Sequence, residues 1–158
     1  MVQDVDVIDD IGEQGDGWLE DYLPYQLYRA TNRLHMRLQS RLRAIGMNPS
    51  QWRVMSVLRS MGTMTIGRIA ENALMEQPTV SRIVLQLEQE GLVQRRPSSD
   101  DSRMTDVALT RSGMAASNKI CPAACRHQQL ALEGFSEQEI EMLRDMLRRI
   151  ETNIDLYD

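Results

Sequence analysis

Apolar residues recur at three- and four-residue steps along most of this chain, and the period breaks at residues that cap or end helices. Leu23, Leu27, Ala30, Leu34, Leu38, Leu42 and Ile45 lay one apolar stripe along a helix of about six turns that ends at Gly46. A second helix opens at Asn48-Pro49-Ser50-Gln51, where Asn48 caps, Pro49 suits the first helical position and Gln51 completes a capping box. Trp52, Met55, Leu58 and Met61 form its buried stripe.

Two shorter helices follow. Thr65 caps one whose inward residues are Ile66, Ile69, Ala70 and Ala73, and Leu74-Met75-Glu76 makes a short turn. Gln77-Pro78 then opens another, with Val80, Ile83, Val84 and Leu87 as core face and Gly91 as its end. That leaves Gln77, Thr79, Ser81, Arg82 and Gln86 on the polar side, where a recognition helix meets DNA. Arg can pair with guanine, Gln with adenine, and Ser or Thr with bases or phosphates. Helix-turn-helix spacing alone is equally compatible with a plain surface helix.

The period then changes from helical to alternating. Leu92–Arg96 reads as a strand, Pro97–Ser102 as a turn and Met104–Leu109 as the return strand, a two-stranded wing. Arg95, Arg96, Ser98, Ser99, Asp101 and Arg103 are its candidate DNA contacts. Asp101 and Arg103 point the same way in extended geometry, so the carboxylate can hold the guanidinium for a narrow minor groove or simply stiffen the hairpin.

Thr110 caps a long helix over Ser112–Leu132, with Gly134-Phe135 in the loop behind it. Ser136-Glu137-Gln138-Glu139 is a capping box that starts a last helix with Ile140, Leu143, Met146, Leu147, Ile150 and Ile154 on one face. A small central lobe cannot easily cover a long apolar helix at each end of the chain. A two-fold homodimer covers both, and places recognition helices about 34–36 Å apart.

The net charge of −5 first argues against DNA, but its distribution changes the picture. Residues 1–28 carry eight acidic side chains and no basic one, leaving 18 basic against 15 acidic residues in 29–158. Residues 1–21 read as an acidic, disordered arm, either a passive tail or a competitor for the basic face. Arg29, Arg33, Arg37 and Arg41 line the outer face of the first helix, either solvated or touching phosphate. At 158 residues, with no apolar run long enough for a bilayer and an acidic N-terminus unlike a signal peptide, a cytoplasmic protein with no membrane segment is expected.

Catalytic and metal chemistry find little support. Cys121 and Cys125 lie one helical turn apart beside His127, but Pro122 disturbs that helix and nothing completes a tetrahedral set, so inert buried thiols are expected and no metal or cofactor. His35 and His127 are the only histidines, and neither belongs to a nucleophile–base signature. The chain does not read as an enzyme.

In order and spacing, Gln77-Pro78-Thr79-Val80-Ser81-Arg82, Leu87–Arg95, Asp101-Ser102-Arg103, Val107–Thr110 and Gly113 resemble the MarR-type winged-helix regulators. The resemblance implies a mainly α fold, a winged helix-turn-helix lobe (48–110) with long N- and C-terminal dimerisation helices (22–47 and 111–158) and a two-stranded β-wing. It implies a homodimer on a pseudo-palindromic operator, with Thr79, Ser81 and Arg82 toward the major groove and Asp101 and Arg103 toward the minor groove and backbone. It also implies a repressor released by a small aromatic or phenolic acid bound where the dimer helices meet the lobe, for which His35, Trp52 and Met55 are candidates, although Trp52 reads first as core. The family's peroxide-sensing cysteine near the N-terminus has no counterpart, because no Cys precedes residue 121. The competing reading is a helical ligand-binding or protein-interaction module whose winged scaffold does not bind an operator.

Overall fold

Helix caps divide the chain where the sequence predicts, as a computed structural model describing residues 17–44, 46–98 and 103–156 shows. The elements are α1 (Trp18–Asp21), α2 (Leu23–Arg43), α3 (Pro49–Met61), β1 (Met64–Thr65), α4 (Ile66–Ala73), α5 (Gln77–Gln89), β2 (Val93–Pro97), β3 (Thr105–Leu109), α6 (Arg111–Ala131) and α7 (Glu137–Asp155). Both expected capping boxes are formed, Asn48 with Gln51 and Ser136 with Glu139. Thr65 and Thr110 cap α4 and α6 through their hydroxyls.

The core lies between α3, α4, α5 and the sheet. Val54, Met55, Ile69, Val80, Val84, Leu87 and Val107 are buried there, and Leu42 and Ile120 reach in from α2 and α6. Truncating one such leucine to alanine typically costs about 2–5 kcal/mol, because neighbours only partly refill the space. On α3 the buried face is Gln51, Val54, Met55 and Leu58. Met61, expected inside, is 53% exposed, and Trp52 is only half-buried.

The sheet has one strand more than expected. β1 pairs antiparallel with β3, as β2 does, giving the order β1-β3-β2. β3 is therefore central, tied on one side to the strand that precedes the helix-turn-helix and on the other to the rest of the wing. Two residues are too few for alternation to show in the sequence.

Three further expectations need correction. The acidic arm does not extend to Asp21: Trp18–Asp21 is helical, and Tyr22 N–H bonds the Trp18 carbonyl at 3.0 Å. Residues 1–16 lie outside the described part. α6 runs through Pro122 without interruption. Its thiols are less covered than expected, Cys121 half-buried and Cys125 exposed.

The first turn of α6 is clamped to the start of the wing. Thr110 N–H donates to the Leu92 carbonyl at 3.0 Å, while the Thr110 hydroxyl donates to the Gly91 carbonyl at 2.6 Å and accepts from Gly113 N–H at 3.0 Å. Gly113 is required by that approach: a Cβ there would sit 1.9 Å from the Leu92 carbonyl oxygen.

The long helices are sparsely covered within one chain. Of the α2 stripe, Leu42 is buried and Leu27 and Leu38 are half-buried, whereas Leu23, Ala30 and Leu34 are exposed; Ile45 lies outside the described residues. No residue of α7 is buried, and Leu143, Met146, Leu147 and Ile154 are exposed. Among the described residues, no helix is long and apolar enough to cross a membrane.

Candidate nucleic-acid interface

The helix-turn-helix is set by a left-handed residue and a proline. Leu74 closes α4 with φ 50°, its N–H on the Glu71 carbonyl at 3.2 Å, and Pro78 in the first turn of α5 needs no donor. Val80, Ile83, Val84 and Leu87 are all buried, which fixes the rotation of α5 about its axis. The opposite face is thereby determined.

That face carries most of the expected contact residues. Gln77, Ser81, Arg82 and Gln86 are exposed, and Thr79 is half-buried at the edge. Between Arg82 and Gln89 lies a residue the polar pattern passed over: Leu85, on the outward side of α5 and 43% exposed. An apolar side chain there can meet a thymine methyl. A helical projection centred on Val80 and Leu87 would have found it; selecting polar residues did not.

The wing is braced against α5. Arg95 on β2 donates from Nε to Glu88 Oε2 at 2.7 Å, and its Nη2 lies 2.6 Å from the same oxygen. This hydrogen bond is the largest cause holding the Glu88 carboxyl below its ordinary pKa and raising that of Arg95. Arg95, expected to face DNA, thus has a protein partner already. Arg96 is exposed, lies opposite Asp106 in the β2–β3 register, and donates to Gln94 Oε1 at 3.2 Å.

At the tip, Ser98 is 9% exposed and its N–H closes the turn onto the Met104 carbonyl at 2.9 Å. Ser98, expected as a DNA contact, is thus buried within the turn. Arg103 is exposed on the return side. Ser99 and Asp101 lie outside the described residues, and with them the expected Asp101–Arg103 pair.

The expected ligand residues are only partly brought together. His35 and Trp52 line a cleft of about 180 Å³ between α2 and α3, with Leu38, Leu42, Arg53 and Ser56. Met55 does not join them, since the same helix turns it inward to 0% exposure. Arg53 is the cation that the sequence reading missed; its Nη1 donates to the Ala73 carbonyl at 3.4 Å, at the end of α4. Aromatic and apolar walls with a guanidinium and an imidazole suit a small organic anion. Among the described residues no group of three or more His, Cys, Asp or Glu could hold a metal ion.

Comparison with known proteins agrees with this geometry. The model of the MarR family matches residues 47–105. The transcriptional repressor IacR of Pseudomonas putida is 27% identical over 136 residues, spanning 86% of this chain and 81% of IacR. A MarR family regulator from Silicibacter pomeroyi superposes with a TM-score of 0.80 at 28% identity, over 86% of this chain and 92% of that one. NadR in complex with 4-hydroxyphenylacetate superposes with a TM-score of 0.73 at 25% identity, over 79% and 89% of the two chains.

Proposed function

Because this chain belongs to the MarR family of DNA-binding transcriptional regulators, not enzymes, we propose that it acts as a homodimeric repressor on a pseudo-palindromic operator, released by a small aromatic or phenolic acid. The observation that carries the reading is the α5 face, where a sealed core stripe leaves Ser81, Arg82, Leu85 and Gln86 outward together. Arg82 makes the base contact, flanked by Gln77 and Thr79. Arg96 and Arg103 of the wing, with Ser99 and Asp101 from the sequence that joins β2 to β3, address the adjacent backbone and minor groove.

The dimer is supported by the uncovered apolar stripes of α2 and α7. Residues 22–47 and 111–158 form its interface, and 48–110 the DNA-binding lobe. Repression is supported by similarity to IacR, a repressor. The ligand class is supported by similarity to NadR and by the cleft of His35, Trp52 and Arg53 between a dimer helix and the lobe. A ligand there lowers operator affinity only by binding the DNA-incompetent arrangement more tightly. As a DNA-bound regulator it works in the cytoplasm.

Anisotropy titration against DNA upstream of its own coding region, at two salt concentrations with and without 4-hydroxyphenylacetate, tests the reading. Specific binding tighter than to random duplex by about a thousandfold is expected, weakened by the acid. Equal affinity for both DNAs would sink the operator assignment. Specific binding indifferent to a panel of aromatic acids, with no quenching of Trp52, would sink the ligand assignment.

A further inference from the structure

Arg53 stands where the cleft between α2 and α3 meets the end of α4. Val54 and Met55 are both 0% exposed, which fixes the rotation of α3 and leaves Arg53 at the edge of the face that carries Trp52 and Ser56. Arg53 itself is exposed, so its guanidinium can turn without unpacking the core.

Its Nη1 donates to the Ala73 carbonyl at 3.4 Å. Ala73 is the last residue of α4 and is 2% exposed. The turn that follows closes on backbone, with Leu74 N–H on the Glu71 carbonyl at 3.2 Å and Met75 N–H on the Ala70 carbonyl at 3.0 Å, and Arg53 adds a donor from outside it. A cation suits that place, because the carbonyls at a helix C-terminus carry partial negative charge. Leu74 comes next, at φ 50°, and Glu76 is the N-cap of α5. One side chain thus joins the cleft to the turn that sets α5 against α4.

An organic anion in the cleft is offered the same guanidinium. A contact of 3.4 Å is long for a hydrogen bond, whereas a carboxylate takes two parallel, charge-assisted bonds from the arginine fork at about 2.7–2.9 Å. The fork is planar and rigid, so turning it onto the carboxylate draws it off Ala73. A buried carbonyl that loses its donor costs free energy until the backbone shifts to find another. The end of α4 and its turn are the segment that shifts.

We propose that Arg53 is the exchange contact through which the cleft controls α5: without a ligand it holds the Ala73 carbonyl, and with one it turns to the ligand carboxylate and releases the turn between α4 and α5. The inference rests on the ligand-responsive operator binding proposed above and names the contact that couples the two sites. The ring of the ligand, against Trp52, supplies affinity, and its carboxylate carries the signal. Coupling is reciprocal, so operator DNA lowers the affinity for the acid by the same factor.

In the full chain carrying W18F, Trp52 is the only indole, and its fluorescence reads the cleft while anisotropy reads the upstream operator fragment. The probes are 4-hydroxyphenylacetate and its neutral amide. The acid should quench Trp52 and weaken operator binding; the amide should quench at higher concentration and leave operator binding unchanged. Arg53→Met should bind operator about three- to tenfold more weakly than the parent without any acid, as for one lost hydrogen bond from a charged donor, and the acid should weaken it no further. Its salt slope should equal the parent's, since no phosphate contact is lost. Arg53→Lys keeps a cation for Ala73 without the fork, so its operator affinity should stay within about twofold of the parent's while the response to acid is lost. Parent-like operator affinity in Arg53→Met, with the acid response gone, reduces Arg53 to a ligand anchor and overturns the exchange. A shallower salt slope in that variant places Arg53 on DNA and overturns it as well. A parent indifferent to every aromatic acid, with Trp52 unquenched, sinks the ligand reading itself and the exchange with it.

Discussion

Arg95 on β2 and Glu88 on α5 share one ion pair, in which two guanidinium nitrogens approach the same carboxylate oxygen at 2.7 and 2.6 Å. The pair sets the position of the wing relative to α5. It also occupies a cation that lies near the α5 face proposed to meet DNA.

Glu88→Gln keeps the side-chain shape and removes the charge that holds Arg95. The expected result is tighter DNA binding at low salt, with a slope of log K against log salt steeper by about one unit, as for one added phosphate contact. An unchanged slope would show that Arg95 does not reach phosphate. The pair also sets a pH dependence. Because the hydrogen bond from Arg95 lowers the folded pKa of Glu88, its contribution to stability is complete above the unfolded value of about 4.3 and is lost as pH falls through the lower folded one. Acid unfolding should therefore erode the stability of the parent chain more than that of E88Q below about pH 4.

Gly113→Ala places a methyl group 1.9 Å from the Leu92 carbonyl oxygen, where it meets backbone on an adjacent element. Relief requires α6 to move away from β2 and breaks the Thr110 clamp. A loss of about 1–3 kcal/mol is expected, read as a Tm lower by several degrees. Gly67→Ala in α4 meets nothing within 4 Å and should be neutral or stabilising, by up to about 1 kcal/mol. Equal melting of the two variants would contradict the close approach.

Leu74 is 88% exposed and sits at φ 50°, a conformation that costs a leucine about 1–2 kcal/mol. Leu74→Gly removes the strain with almost no packing to lose. Thermal unfolding should shift upward by a few degrees, offset in part by the greater freedom of an unfolded glycine. A lower Tm would mean that the exposed leucine side chain contributes to the fold.

Arg82 and Leu85 project from the same face of α5 and should fail differently. Arg82→Ala is expected to weaken operator binding by about 1–3 kcal/mol and relax preference at one base pair. Leu85→Ala should leave melting unchanged, since the side chain is 43% exposed, and weaken binding only where thymine methyls are present. Operators synthesised with uracil for thymine test this, because parent and L85A should then bind alike. A difference that persists on uracil DNA would place Leu85 elsewhere.

The winged lobe was legible in the sequence because its signals are local. Val80, Ile83, Val84 and Leu87 declare the rotation of α5 by period alone, and Asn48, Thr65, Thr110 and Ser136 declare helix starts by their hydroxyl or amide oxygens. What escaped depends on contacts distant in sequence. β1 is only two residues long and exists by pairing with β3, 40 residues later. Met55 belongs to the core and not to the cleft because α4 and α5 close over that side of α3. The pairing of Arg95 with Glu88 needed the wing to fold back on α5. α1 escaped for the opposite reason, since four residues inside an acidic, glycine-containing stretch carry no period to read.

Between β3 and α6 there is no linker: Leu109 ends the strand, Thr110 is the cap and Arg111 begins the helix. A strand that feeds directly into a helix behaves as a rigid crank, with Thr110 as its elbow. The wing forms an arm of about 17 Å, five residues at strand rise, so a tilt of α6 by a few degrees moves its tip by an ångström or two. That displacement is comparable to the tolerance of a hydrogen bond to a phosphate. Whatever shifts the long helices therefore works the wing mechanically, with no slack in the transmission.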